Sequence, residues 1–111
     1  MANIYKNAKV ILDTTDITTL YTTPSNSRAI IKSILVCNTK TNATTITVTI
    51  TDASSNIFEL FDAKDIAAFT TVELLTQPVI LEENEILKVE AANSDRLHVV
   101  SSILEINRED R

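Results

Sequence analysis

Ala43-Thr44-Thr45-Ile46-Thr47-Val48-Thr49-Ile50-Thr51 decides the fold. In an extended backbone Ile46, Val48 and Ile50 fall on one side, and Thr45, Thr47, Thr49 and Thr51 fall on the other. This is strict period-2 alternation made of β-branched residues, the pattern of a strand with one buried and one wet face. A fully buried Ile or Val contributes roughly 1.5–3 kcal/mol, so a one-residue slip would expose the apolar row at a cost of several kcal/mol. The stretch therefore specifies register as well as element type.

Working outward, similar segments recur. Upstream, Arg28 to Thr39 is long and almost wholly apolar. Its β-branched cluster Ile30, Ile31, Ile34 and Val36 favours a strand over a helix, and its second half predicts cover on both faces. Lys40-Thr41-Asn42 makes a short turn, so this strand and the next are expected to form an antiparallel hairpin. Before it lie strand candidates at Ala8 to Asp13 and Ile17 to Thr23, the second stopped by Pro24-Ser25-Asn26-Ser27. Downstream come Ile57 to Phe61 and Thr70 to Leu75, with a short helix or irregular crossover expected over Asp62 to Phe69. Val79 to Leu81 and Ile86 to Ala91 flank the acidic turn Glu82-Glu83-Asn84-Glu85 and read as a compact hairpin. Leu97 to Ile106 is the last strand, and it and Arg28 to Thr39 are expected to be central in their sheets. About eight strands with turns every 8–12 residues predict an all-β fold. The expectation is a single antiparallel β-sandwich over residues 1–111, either immunoglobulin-like or jelly-roll.

Composition bounds the function. The 111 residues suit one domain, which buries roughly 60–70% of its unfolded surface without help from metal or disulfide. The core must be aliphatic, since aromatic residues are 5% and Trp is absent. There is no Gly. That removes glycine-rich phosphate loops and dinucleotide fingerprints, and it passes left-handed turn positions to Asn26, Asn42, Asn56, Asn84 and Asn93. A net charge of −5 disfavours nucleic acid and anionic membranes as partners. No apolar run is long enough for a transmembrane helix. The opening Met-Ala-Asn-Ile-Tyr-Lys lacks a signal-peptide stretch, and a lone Cys37 fits a reducing cytoplasm.

Chemistry-bearing residues are sparse. His98 is the single His, and a metal site or triad needs more ligands or a partnered base. Cys37 follows Leu35 and Val36 and reads as a buried, inert thiol. Glu82, Glu83 and Glu85 lack the spacing of a calcium loop or a catalytic carboxylate pair. No catalytic, cofactor-binding or metal-ligating set is expected, and the chain is read as non-enzymatic. Arg28, Lys32 and Lys40 cluster in one region against the acidic background, which reads either as a solubilising mixture or as a complementary patch for like copies or a host surface. Thr-rich edge strands with few guarding Lys or Pro also permit contacts between chains. By charge, the interface is expected at Asn3, Ile4, Tyr5, Lys6 and Asn7 and at the tail Arg108, Glu109, Asp110 and Arg111.

Two stretches carry a resemblance. Leu20-Tyr21-Thr22-Thr23-Pro24-Ser25-Asn26-Ser27-Arg28 runs into the apolar strand ending Val36-Cys37-Asn38. Gln77-Pro78-Val79-Ile80-Leu81-Glu82-Glu83-Asn84-Glu85-Ile86-Leu87 leads to a final strand that closes Ser102-Ile103-Leu104-Glu105-Ile106. Together they resemble small virion proteins of tailed bacteriophages, particularly contractile-tailed phages of marine cyanobacteria. The chain departs from that pattern at Asn84-Glu85, where Gly-Asp is common. The resemblance implies a virion structural protein made in the host cytoplasm. First among its roles is a head decoration or cement protein on the major capsid protein lattice, as a homo-oligomer such as a trimer. A tail accessory protein (sheath, baseplate or fibre-attachment module) is the alternative. A carbohydrate-binding adhesion module is a third reading.

Overall fold

The computed structural model describes residues 2–107, and these form nine strands. They are β1 (Ala2–Leu12), β2 (Thr18–Thr22), β3 (Ser27–Asn38), β4 (Thr44–Thr51), β5 (Ile57–Ile66), β6 (Thr71–Glu73), β7 (Val79–Leu81), β8 (Ile86–Ala91) and β9 (Leu97–Asn107). One sheet, here sheet A, runs β1-β9-β3-β6, with β7 beside β6 on the same edge of β3. The other, sheet B, runs β2-β8-β4-β5. All pairs are antiparallel. Counting β6 and β7 as two halves of one strand, the orders are first-eighth-third-sixth and second-seventh-fourth-fifth. That is the jelly-roll arrangement of two packed sheets, so the immunoglobulin-like option is set aside.

Alternation works as the opening stretch requires. Ile46 and Val48 are fully buried and Ile50 is partly buried. Thr45, Thr47 and Thr49 are half-buried, because β5 and β8 flank the row on both sides. The core between the sheets is aliphatic, with Leu12, Ile31, Ile34, Ile66, Leu81, Leu87, Leu97 and Ile103 at its centre. β3 and β9 are central, but they are neighbours in one sheet rather than the centres of two.

Several local expectations are corrected. β3 and β4 do not pair, and neither do β7 and β8. Each turn carries the chain across from sheet A to sheet B. Among the described strands, β4–β5 is the one hairpin of consecutive pairing strands. No helix forms over Asp62 to Phe69; β5 continues to Ile66 through two register shifts, with Ala63 left-handed at φ 53°. The Ala63 N–H is held by Thr47 Oγ1 at 3.1 Å, which stabilises a bulge that Gly would normally occupy. Left-handed backbone falls on Asn26 and Asn84, as expected for a chain without Gly, but also on Ser55, Ala63, Phe69 and Asp95 rather than Asn42, Asn56 or Asn93. β1 begins well before Ala8.

Two further bulges redirect side chains. In β3, Lys32 is the extra residue between Ile31 and Ser33, so Ile31 and Ile34 both point inward. In β2, Leu20 is extra, and Leu20 and Tyr21 are both buried. The β3 bulge frees the Ile34 N–H, which donates to Glu73 Oε2 at 2.8 Å. Ser33 Oγ donates to Glu73 Oε1 at 2.5 Å, and the Leu75 N–H donates to Oε2 at 3.1 Å. Glu73 thus fills the gap between β6 and β7 along the edge of β3. Burial pushes its carboxyl up, but the bonds from Ser33, Ile34 and Leu75 outweigh that and hold it below its ordinary value. Glu73→Ala is expected to cost about 1–2 kcal/mol, read as a lower urea midpoint with unchanged slope.

Candidate interaction surfaces

Sheet A buries one face in the core, and no described segment covers the other. Register lines up residues of that outer face in rows across the strands. Tyr5 (β1) sits opposite Leu104 (β9), Leu104 opposite Ile30 (β3), and Ile30 opposite Ile80 (β7). A second row is Lys9, Val100, Leu35 and Glu73, and a third is Ile11, His98, Cys37 and Thr71. Tyr5 is 76% exposed, Ile80 62%, Ile11 58%, Leu35 40% and Val100 39%. Ile30 and Leu104 are half-buried between them. Apolar side chains therefore span the width of the sheet. Scattered exposed Leu or Ile is ordinary on a protein, but contiguous rows of them mark an interaction face.

Leu35 and Cys37 correct the expectation that both faces of β3 are covered. No described segment lies over them, and Cys37 is half-exposed rather than buried. Cys37 also stands directly across from His98, a pairing that their distance in sequence conceals.

Charge is unevenly divided between the two outer faces. The strands of sheet A present Lys9, Arg28 and Lys32 outward, against one outward carboxylate, Glu73, which is already held by Ser33 and two N–H groups. Sheet B presents Glu59, Asp65 and Glu90 outward, against Lys88. On that second face lies a groove of about 190 Å³. Its floor is Thr47, Thr49 and Thr51, its flanks are Glu59, Lys88 and Glu90, and Ile17 and Ile57 form apolar walls. Ile17 and Ile57 are 62% and 64% exposed. Thr51, expected to face water, is covered here, and its Oγ1 is buried without a hydrogen-bond partner.

The sequence-expected interface is divided by the fold. Asn3 to Asn7 lie on β1, an edge strand of sheet A. Tyr5 joins the outer apolar row, and Ile4 is 43% exposed. Lys6 turns the other way: its Nζ is 3.2 Å from Glu105 Oε1 and 5.8 Å from the centre of the Tyr21 ring. Lys6 belongs to an inter-sheet clamp rather than to the outer face. Arg108, Glu109, Asp110 and Arg111 lie outside the described residues. Composition and charge did not single out Ile11, Leu35, Ile80 or Val100. The signal that could have found them was the excess of apolar residues at alternate positions of β3 and β9, more than one buried face uses.

No family model matches the chain, and no curated protein matches it. Among solved structures, a chain from the structure of infectious bursal disease virus, Gt strain, is similar over 96% of this chain at 8% identity, with a TM-score of 0.41. This chain spans 31% of that one.

Proposed function

We propose that this chain is a non-enzymatic virion structural protein that works by docking on other virion proteins through the outer face of sheet A. The observation that carries the reading is the uncovered apolar row Tyr5–Leu104–Ile30–Ile80, backed by Ile11, Leu35 and Val100. An interface gains most from such an apolar centre with a charged rim, and Lys9, Arg28 and Lys32 supply the rim. The resemblance of the Leu20–Asn38, Gln77–Ala91 and Leu97–Ile106 stretches to small phage proteins supports a place on a tailed phage. The first role is a decoration or cement protein bridging subunits of the major capsid lattice, where many modest contacts add up over a shell. A sugar-binding role has less support. Tyr21 is buried, Tyr5 lies on the other sheet from the groove, and among the described residues no aromatic ring lines the groove for a sugar to stack on.

Imaging of the intact particle tests this. Density for the chain is expected on the capsid exterior in many copies, and particles lacking it are expected to lose heat resistance. Density confined to purified tails assigns the tail-accessory role instead. Ile80→Asp is expected to leave the far-UV spectrum unchanged and to reduce co-sedimentation with particles at least about tenfold, as loss of an exposed apolar anchor does. Undiminished co-sedimentation of that variant removes sheet A as the docking face.

A further inference from the structure

The two outer faces complement each other, and neither complements itself. Sheet A offers three cations around projecting apolar side chains, its one carboxylate, Glu73, being held by Ser33 and two N–H groups; sheet B offers three carboxylates against Lys88 around a groove with isoleucine walls. A two-fold contact of sheet A with its copy would set two faces together that each carry Lys9, Arg28 and Lys32. A two-fold contact of sheet B would set two faces together that each carry Glu59, Asp65 and Glu90 against a single Lys88. Like charges held in an interface cost several kcal/mol, so both isologous contacts are disfavoured. A head-to-tail contact, sheet A of one copy on sheet B of the next, opposes Lys9, Arg28 and Lys32 to Glu59, Asp65 and Glu90, with Lys88 the one cation on the sheet B side.

Shape agrees with charge. Tyr5 is the most exposed of the large apolar side chains on its face, and it stands at the end of a row on an edge strand. A groove of about 190 Å³ with walls at Ile17 and Ile57 accommodates one aromatic ring, and Glu59 and Glu90 beside it can accept from a phenol hydroxyl. Area agrees as well. Four strands about 4.8 Å apart, and the 11 residues of β9 at about 3.3 Å each, give a face of roughly 700 Å². That is near the ~800 Å² each partner buries in a standard interface.

Resting on the reading of sheet A as a docking face, we infer that its partner includes a second copy of this chain: the outer face of sheet A seats on the groove of sheet B of the next copy, with Tyr5 in the groove. Such a contact is heterologous, so it propagates to a closed ring or an open filament rather than stopping at a symmetric dimer.

Sedimentation velocity on the purified chain from about 1 µM to 1 mM tests this, a range that covers weak to moderate association. Concentration-dependent species larger than a dimer are expected, weakening as salt rises from about 0.05 to 0.5 M because the charge pairs are screened. Tyr5→Glu damages only sheet A, and Ile57→Asp only sheet B. Each alone is expected to be monomeric while retaining wild-type thermal unfolding. Mixed, they are expected to form a 1:1 dimer that grows no further, since each variant keeps one sound face. A chain that stays monomeric throughout overturns the inference, even if it binds phosphatidylserine vesicles or capsids. So does a dimer that Tyr5→Glu abolishes and Ile57→Asp leaves intact. A monomer that still decorates particles refutes self-association and leaves the docking role standing; assembly with absence from particles does the reverse.

Discussion

Replacing Glu105 by alanine is expected to cost about 3 kcal/mol, a large part of the ~5–15 kcal/mol that holds a domain of this size together. Glu105 points inward from β9 and is 4% exposed. It accepts the Tyr21 hydroxyl at 2.5 Å from sheet B and the Lys6 ammonium at 3.2 Å from β1, so one carboxylate joins three strands and both sheets. Alanine would leave the Tyr21 hydroxyl buried without an acceptor. Lys6 is 41% exposed at its side chain and can turn to water, which keeps the loss at the low end of the ~3–5 kcal/mol for breaking a fully buried pair. Glu105→Gln keeps an acceptor for Tyr21 and is expected to cost only about 1 kcal/mol. The pH dependence separates the two roles. Burial pushes the Glu105 carboxyl up, but the bonds from Tyr21 and Lys6 and the Lys6 charge outweigh it and hold it below the ordinary value. A depressed carboxyl contributes stability that is present above its unfolded value and lost as pH falls through its folded one. The gap between wild type and Glu105→Gln should therefore be full at neutral pH and shrink in acid. Burial, with the bond and the charge of Glu105, pushes the Tyr21 phenol well above its ordinary 10.0. That contribution is complete below the unfolded value and lost as pH rises through the folded one. Urea midpoints across the pH range check both limbs; an acid-independent gap would refute the charge assignment.

Faces were legible in the sequence where partners were not. The spans of β4, β7, β8 and β9 follow from alternation and turn residues, because period 2 reports which side of a strand is buried. Alternation is silent on which strand lies alongside. Short polar turns such as Lys40-Thr41-Asn42 suit a hairpin and a crossing between sheets equally, and here the crossing buries Ile34, Val36, Ile46 and Val48 in one core. The second half of β5, beyond Phe61, was hidden for a different reason. β5 is an edge strand whose two bulges break the period, and its exposed Asp62, Lys64 and Asp65 look like a solvated crossover. The early part of β1 was hidden by the polar run Asn3 to Asn7, for which an edge strand also has room. Tyr5 was found and the rest of its row was not, since Leu104, Ile30 and Ile80 come together only through the register of four strands. The double-faced apolar character of β3 did carry the clue, but it was explained by a covering layer that no described segment supplies.

Asn38 shows how much a crossing between sheets depends on a single polar side chain. It closes β3 at 0% exposure, where the chain leaves sheet A for β4. Its Nδ2 donates to the Asn42 carbonyl at 2.9 Å and the Ile66 carbonyl at 3.2 Å. Its Oδ1 accepts the Lys40 N–H at 3.0 Å. Its own N–H donates to the Thr70 carbonyl at 2.9 Å, on the segment that returns the chain to sheet A after β5. One residue thus ties the outgoing and returning crossovers together. Asn38→Ala removes partners from two carbonyls and one N–H and is expected to cost about 3 kcal/mol. Asn38→Asp is expected to cost more at neutral pH, about 4–5 kcal/mol, despite its near-identical shape. A carboxylate has no proton to donate, so it would face two carbonyl oxygens in a site closed to water. Burial and those oxygens would raise its folded-state value above the unfolded one, so the variant is most stable in acid and loses stability as pH rises through the unfolded value toward the folded one. Urea unfolding near pH 4 and pH 8 distinguishes the mechanisms. If the side chain works as a donor, Asn38→Asp falls below Asn38→Ala at the higher pH and approaches it at the lower. If it works only by filling space, Asn38→Asp stays close to wild type at both.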